Sequence, residues 1–169
     1  MVESPSGFDG AGSGEGVVTV GVIADTHGVL RPQAREALVG CSLIVHAGDV
    51  GGIEVVRELE AVAPVVAVRG NVDVQPWAAE LPESRVVEVG GALLHVLHDL
   101  ERLALDPAAA GIVAVVSGHT HHALIERRDG VLFVNPGSAG PRRFHHPVSV
   151  AILRLAGGEA SADLVELRV

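Results

Sequence analysis

The sequence predicts an α/β fold, a sandwich of two β-sheets with flanking helices. Three observations lead there. Residues 17–68 alternate three short apolar runs with two helix-forming stretches. From residue 86 onward most apolar runs have strand character, and three pairs of them meet at Gly90-Gly91, Asp129-Gly130 and Gly157-Gly158, as hairpins do. The chain has 169 residues, 48% of them hydrophobic, which suffices for one core in one domain.

The elements follow in order. Residues 1–16 are rich in Gly, Ser and Glu and bury too little to offset their ordering entropy. A flexible tail is expected there, with residues 17–169 forming a single domain. Residues 17–24 are an apolar strand. Pro32 suits the first turn of a helix over 32–38, which sets Ala34 and Leu38 on one face. Residues 43–47 are the second strand. Ile53, Val56 and Leu59, interleaved with Glu54, Arg57 and Glu58, mark an amphipathic second helix. Residues 65–68 are the third strand. This alternation implies right-handed crossovers and a parallel sheet. Residues 86–89 and 93–97 form a hairpin, and a short helical piece is expected within 100–110. Residues 112–116 are another buried strand. Residues 123–126 pair with 131–134, and 148–155 with 162–167.

Composition excludes several functions. All twelve basic residues are arginines, so neither a phosphate-loop lysine nor a Schiff-base lysine exists. The formal net charge is −9, which disfavours a nucleic-acid polyanion as partner. The aromatics are Phe8, Trp77, Phe133 and Phe144, too few for a base-stacking platform. No apolar run reaches membrane-spanning length, and no basic stretch precedes an apolar one at the N-terminus. The lone Cys41 rules out an internal disulfide, and a cytoplasmic location is expected. Edge strands in the second half allow a homodimer.

Five motifs carry chemistry: Asp25-Thr26-His27, Gly48-Asp49, Gly70-Asn71-Val72-Asp73, His98, and Gly118-His119-Thr120-His121. Each follows an apolar run, and strand ends are where α/β sheets present side chains to ligands. Together they offer carboxylate, amide and imidazole donors for two divalent metal ions. Residues 25 and 27, like 119 and 121, lie two apart and share a side if extended. Only two of the donors are anionic, so two divalent cations would leave the site positive and attractive to phosphate. A pair of metals can acidify a water and clamp both oxygens of a displacement. Manganese is the first expectation; iron, zinc, nickel and magnesium suit the same donors. Among the other histidines, His46 reads as a hydrogen-bonded core residue, His95 as solvent-facing or packing, and His122 as pointing away from the motif. Arg142 and Arg143 are candidates for binding the substrate phosphate, against a solvated charge pair.

The motif series resembles the calcineurin-like metallophosphoesterase superfamily, in its small single-domain phosphodiesterase branch, over residues 17–143. Asn135-Pro136-Gly137-Ser138 is similar to a loop that follows the last histidine motif of that branch. The resemblance implies an αββα-type sandwich of two mixed sheets. It implies one metal held by Asp25, His27, Asp49 and His121, and another by Asp49, Asn71, His98 and His119. Asp49, Asn71 and His98 would serve catalysis, and Asn71 would also contact substrate. The expected substrate is a small phosphodiester. The alternative is a non-catalytic metal-binding scaffold, since the retromer scaffold subunit of eukaryotes is similar to this family. Two positions depart from the family pattern. Val72 stands where many members have a histidine that protonates the leaving group, which implies weak activity on poor leaving groups. Asp99 stands where glycine is frequent, and it is expected to adopt the left-handed turn there.

Overall fold

The computed structural model describes Val2, Glu3 and residues 16–169. The rest of the predicted 1–16 tail lies outside the described residues. Among the described residues, eleven strands form two sheets. Strand β1 (Val2–Glu3) pairs parallel with β5 (Ser84–Val89), an addition to the strands predicted from sequence.

The first sheet follows the predicted alternation. Strands β2 (Val18–Ile23), β3 (Leu43–His46) and β4 (Val65–Ala67) lie side by side and parallel. Helices α1 (Pro32–Ala37) and α2 (Ile53–Glu60) connect them. Strand β10 (Ser149–Ala156) adds antiparallel to β2, and β11 (Glu159–Glu166) closes the sheet as a hairpin. Pro32 occupies the first turn of α1, as its fixed φ favours. Val55, Val56 and Leu59 of α2 are buried in a cluster with Ile23, Ala34, Leu38 and Ile44.

The second sheet has the order β1-β5-β6-β7-β9-β8, with β6 (Ala92–Leu97), β7 (Ile112–Val116), β8 (Leu124–Arg128) and β9 (Val131–Asn135). The hairpins at Gly90-Gly91 and Asp129-Gly130 form, with Val89 opposite Ala92 and Arg128 opposite Val131. Strands β6, β7 and β9 run parallel, so this sheet is also mixed.

The main core lies between the sheets. Leu43, Leu94 and Leu153 are fully buried there. Each contributes about 1.5–3 kcal/mol relative to exposure. Both α-helices cover the five-stranded sheet. The outer face of the six-stranded sheet holds a smaller cluster of Leu97, Ile112, Val115, Val131 and Phe133, packed by Leu100 and Leu103. The helical piece predicted within 100–110 shrinks to one 3₁₀ turn, Leu100–Arg102. Pro107 disfavours helical geometry at Asp106, and no long apolar face is available to hold a longer helix. A second 3₁₀ turn, Pro76–Glu80, was not anticipated. No helix among the described residues is long and apolar enough to cross a membrane.

Candidate metal centre

The five motifs lie just beyond the C-terminal ends of β2, β3, β4, β6 and β7. Beyond these strands the pairing continues into the loops. Asp25 N–H donates to the Gly48 carbonyl, His27 N–H to Asp49, and Gly118 N–H to His98. The donor-bearing segments are thereby stitched together across both sheets.

Five of the seven predicted ligands have positive φ: Asp25 (54°), His27 (47°), Asp49 (52°), His119 (74°) and His121 (60°). The chain is therefore not extended at 25–27 or at 119–121, contrary to the sequence reasoning. Left-handed turns aim the side chains instead. Asp and His are among the non-glycine residues most tolerant of that region, and such outliers cluster at functional sites. Two glycines are required by space. A Cβ on Gly70 would collide with Asp49, and one on Gly48 (φ 94°) would sit 2.7 Å from His98 Nδ1.

All seven predicted ligands converge. Asp25, His27 and His121 form one group of mutually close donor atoms, and Asp25, Asp49 and His98 form another. His27 Nε2 lies 3.3 Å from His121 Nε2, and His121 Nε2 lies 3.5 Å from Asp25 Oδ1. Asp49 Oδ2 is 3.2 Å from His98 Nε2 and 3.8 Å from His27 Nε2, so this carboxylate faces both groups. Asn71 Oδ1 is 3.1 Å from His98 Nε2 and 3.2 Å from His119 Nδ1. Arg143 is exposed, yet its charge acts on Asp25, His27 and His121. Arg142 is exposed and joins none of these contacts.

The donors suit divalent cations. Asp25 Oδ1 is buried and has no hydrogen-bond partner among the described residues. It faces imidazole nitrogens of both His98 and His121. An unpaired buried carboxylate oxygen is costly, and a cation between those groups removes the cost. His98 Nδ1 donates to the Ala47 carbonyl at 2.7 Å, which leaves Nε2 available as a ligand atom.

The electrostatics of the metal-free site agree. Burial drives the Asp25 carboxyl up to about 7, aided by the nearby Asp49 charge and opposed by His98. Burial alone would also raise Asp49, but its hydrogen bond to His98 and the Val72 N–H hold it below the ordinary value. Burial lowers His27, and it lowers His121 to about 4 with Arg143 contributing. Burial would lower His98 too, yet the Asp49 hydrogen bond, the Ala47 carbonyl and both carboxylates raise it.

A pH test follows for metal-free protein. The folded Asp25 keeps its proton up to about pH 7, whereas the unfolded carboxyl releases it near 3.8. The stability this proton supplies is complete below the lower value and lost as pH climbs through the upper one. Asp25→Asn removes the dependence. Its stability relative to wild type should rise by roughly 2–4 kcal/mol from about pH 4 to about pH 8. Urea unfolding in the presence of chelator measures this, and a constant difference would contradict it.

Several further residues support the site, among them His46, which is the hydrogen-bonded core histidine that the sequence indicates. His46, fully buried, accepts the Gly48 N–H at Nδ1 (3.2 Å), so its Nε2–H donates to Thr26 Oγ1 (2.9 Å). Thr26 in turn donates to the Val50 carbonyl. Burial lowers His46 to about 3, which keeps the ring neutral. One imidazole thereby ties the segment bearing Asp25 and His27 to the one bearing Asp49. His46→Leu would strand the Gly48 N–H, and a loss of about 1–3 kcal/mol is expected. Thermal unfolding would read this as a drop of roughly 2–4 °C per kcal/mol. Asp73 accepts from Val50, Gly51 and Gly70 and so is a backbone clasp. Asn135 donates to the Gly118 carbonyl, and Ser138 to the Asp25 carbonyl, so the Asn135–Ser138 loop braces the site. Among the remaining histidines, His95 is buried in β6, and His122 is exposed, 4.8 Å from His146 by ring centroids. Asp99 has φ −107° and accepts from Glu101 N–H; it neither takes the left-handed turn nor bonds a histidine. The 3₁₀ turn that it caps starts directly after it, so extended geometry suffices.

A two-sheet sandwich with carboxylates and imidazoles at its parallel strand ends is a candidate metal-binding architecture. The family model for the calcineurin-like phosphoesterase superfamily domain matches residues 18–158, and the chain belongs to that superfamily. It is 34% identical over 158 residues to a probable metallophosphoesterase of Methanothermobacter thermautotrophicus, covering 86% of this chain and 91% of that protein. It is 28% identical over 137 residues to a phosphodiesterase of Methanocaldococcus jannaschii, covering 70% and 82% respectively. Its fold is similar to that of vacuolar protein sorting 29 from Cryptosporidium parvum, with TM-score 0.71, 22% identity, and coverage of 90% and 99%. The family supports metal-dependent phosphoester hydrolysis, and the donor groups described above are its metal-binding candidates.

Proposed function

We propose that this chain is a phosphodiesterase of small phosphodiesters, working through a dinuclear metal centre. One ion would be held by Asp25, His27, Asp49 and His121, the other by Asp49, Asn71, His98 and His119. The observation that carries the reading is that Asp25, His27, Asp49, His98 and His121 form two adjoining donor groups, with Asn71 and His119 next to His98 and with Asp49 near both His98 and His27. When bound, such a metal pair supplies an activated water and screens the phosphate charge.

The protein's own groups then have defined tasks. Asp49 keeps the two donor groups in register, and its Oδ1 is fixed by the Val72 N–H at 3.1 Å. Asn71 offers a neutral oxygen beside His98 and His119, near the opening where substrate enters. Arg143 adds positive charge on the His121 side for a phosphate oxygen. Val72 carries no proton to give. Hydrolysis is therefore expected to fall steeply as the leaving group becomes more basic.

The test is hydrolysis of bis(4-nitrophenyl) phosphate by manganese-supplemented protein, with an alkyl nitrophenyl diester and a nitrophenyl monoester alongside. Metal-dependent turnover of the diesters ahead of the monoester supports the reading. Tight metal binding with no turnover on the whole panel would favour the scaffold alternative.

A further inference from the structure

A cavity of about 720 Å³ opens beside Asn71, His98 and His119. Arg143 is not among the residues that line it. A cavity of this size accommodates a drug-sized molecule, far more than a phosphate group alone. Val74, Pro76, Ala78 and Leu97 form an apolar wall. The two 3₁₀ turns and the loop between β4 and the first of them shape it.

Two of the carboxylates in its lining are already engaged, Asp73 by backbone N–H groups and Glu83 by Arg69. Gln75, Ser84 and Asp99 can exchange hydrogen bonds with hydroxyl groups. Two arginines also line it. Arg69 is committed to Glu83 at 3.4 Å. Arg102 is exposed and has no carboxylate partner among the described residues. No Phe, Tyr or Trp lines the cavity, and its two imidazoles, His98 and His119, are metal-ligand candidates, so a nucleobase would find no free stacking face among the described residues.

We propose that this cavity is a subsite for the organic arm of the phosphoester, and that it takes a polyhydroxylated, non-aromatic arm bearing a second anionic group against Arg102. The inference rests on the phosphodiesterase reading for the position of the scissile phosphate. With that phosphate at the centre, the arm runs over the apolar wall and its far anion meets Arg102. A guanidinium recognises phosphate or carboxylate through paired N–H donors.

Calorimetric binding to manganese-loaded protein tests this without requiring turnover. The probes are inorganic phosphate, fructose monophosphate, fructose bisphosphate (phosphates on both terminal carbons) and adenosine monophosphate. Wild type should bind the bisphosphate about tenfold more tightly than either inorganic phosphate or the monophosphate. In Arg102→Ala that gap should close to within about twofold, and Arg102→Lys should restore part of it. Equal affinities for the bisphosphate and inorganic phosphate in wild type would overturn the subsite. So would a gap that survives Arg102→Ala, or adenosine monophosphate binding more tightly than the bisphosphate. The two readings fail separately. Aryl-diester turnover without the affinity gap removes the subsite and leaves the hydrolase. The gap without turnover on any diester removes the hydrolase and leaves an anion-binding cavity beside a metal centre.

Discussion

Asp49→Ala is expected to lower kcat on bis(4-nitrophenyl) phosphate by about 1000-fold or more. Asp49 is the carboxylate whose oxygen faces His98 at 3.2 Å and His27 at 3.8 Å. Those two histidines belong to different donor groups of the proposed pair. In the proposed centre, each ion would lose a ligand without Asp49, and the two would lose their shared anion. Several kcal/mol of transition-state stabilisation depends on both ions, and each 1.36 kcal/mol is a factor of ten in rate. Asp49 is nearly buried, so the alanine variant also leaves a small void. Asp49→Asn controls for this, because it keeps the shape and loses the charge. It should remain at least about 100-fold impaired. A loss of under about tenfold in both variants would show that Asp49 does not bridge the centre.

The second large effect is on stability. Saturating manganese should raise the melting temperature by roughly 5–10 °C over chelator-treated protein at the same pH. The unpartnered Asp25 Oδ1 and the proximity of Asp25 to Asp49 make the metal-free site unfavourable. Only the folded chain assembles the seven proposed donors, so ions held by them would bind the folded state and stabilise it by mass action. At about 100 times the dissociation constant this is about 2.7 kcal/mol. In Asp25→Asn the shift should shrink to less than half, as measured by scanning fluorimetry at fixed metal concentration. An unchanged melting temperature in wild type would rule out a site of useful affinity.

Much of this architecture was legible. Short apolar runs followed closely by Asp or His identified β2, β3, β6 and β7 together with the candidate ligand after each, because the apolar run and its polar end are both written in residue type. The paired glycines and Asp129-Gly130 located the turns by their positive φ. The conformation of the ligands themselves was hidden. An extended Asp25-Thr26-His27 and a left-handed one have the same sequence, and only the neighbouring strands select between them. The partners of the bracing residues were hidden for a related reason. His46, Asp73 and Asn135 bond backbone groups 2, 23 and 17 positions away, and no local pattern announces such partners. The turn at Pro76–Glu80 is too short to show periodicity. The cavity it helps to line is built from four separate segments, so substrate preference was beyond reach from sequence.

The proposed dinuclear centre is tested most directly by counting metal. Apoprotein reconstituted with manganese, freed of excess and measured by elemental analysis should hold two ions per chain, and Asp49→Ala no more than one. One ion per chain in wild type, or a count that Asp49→Ala leaves at two, would contradict it.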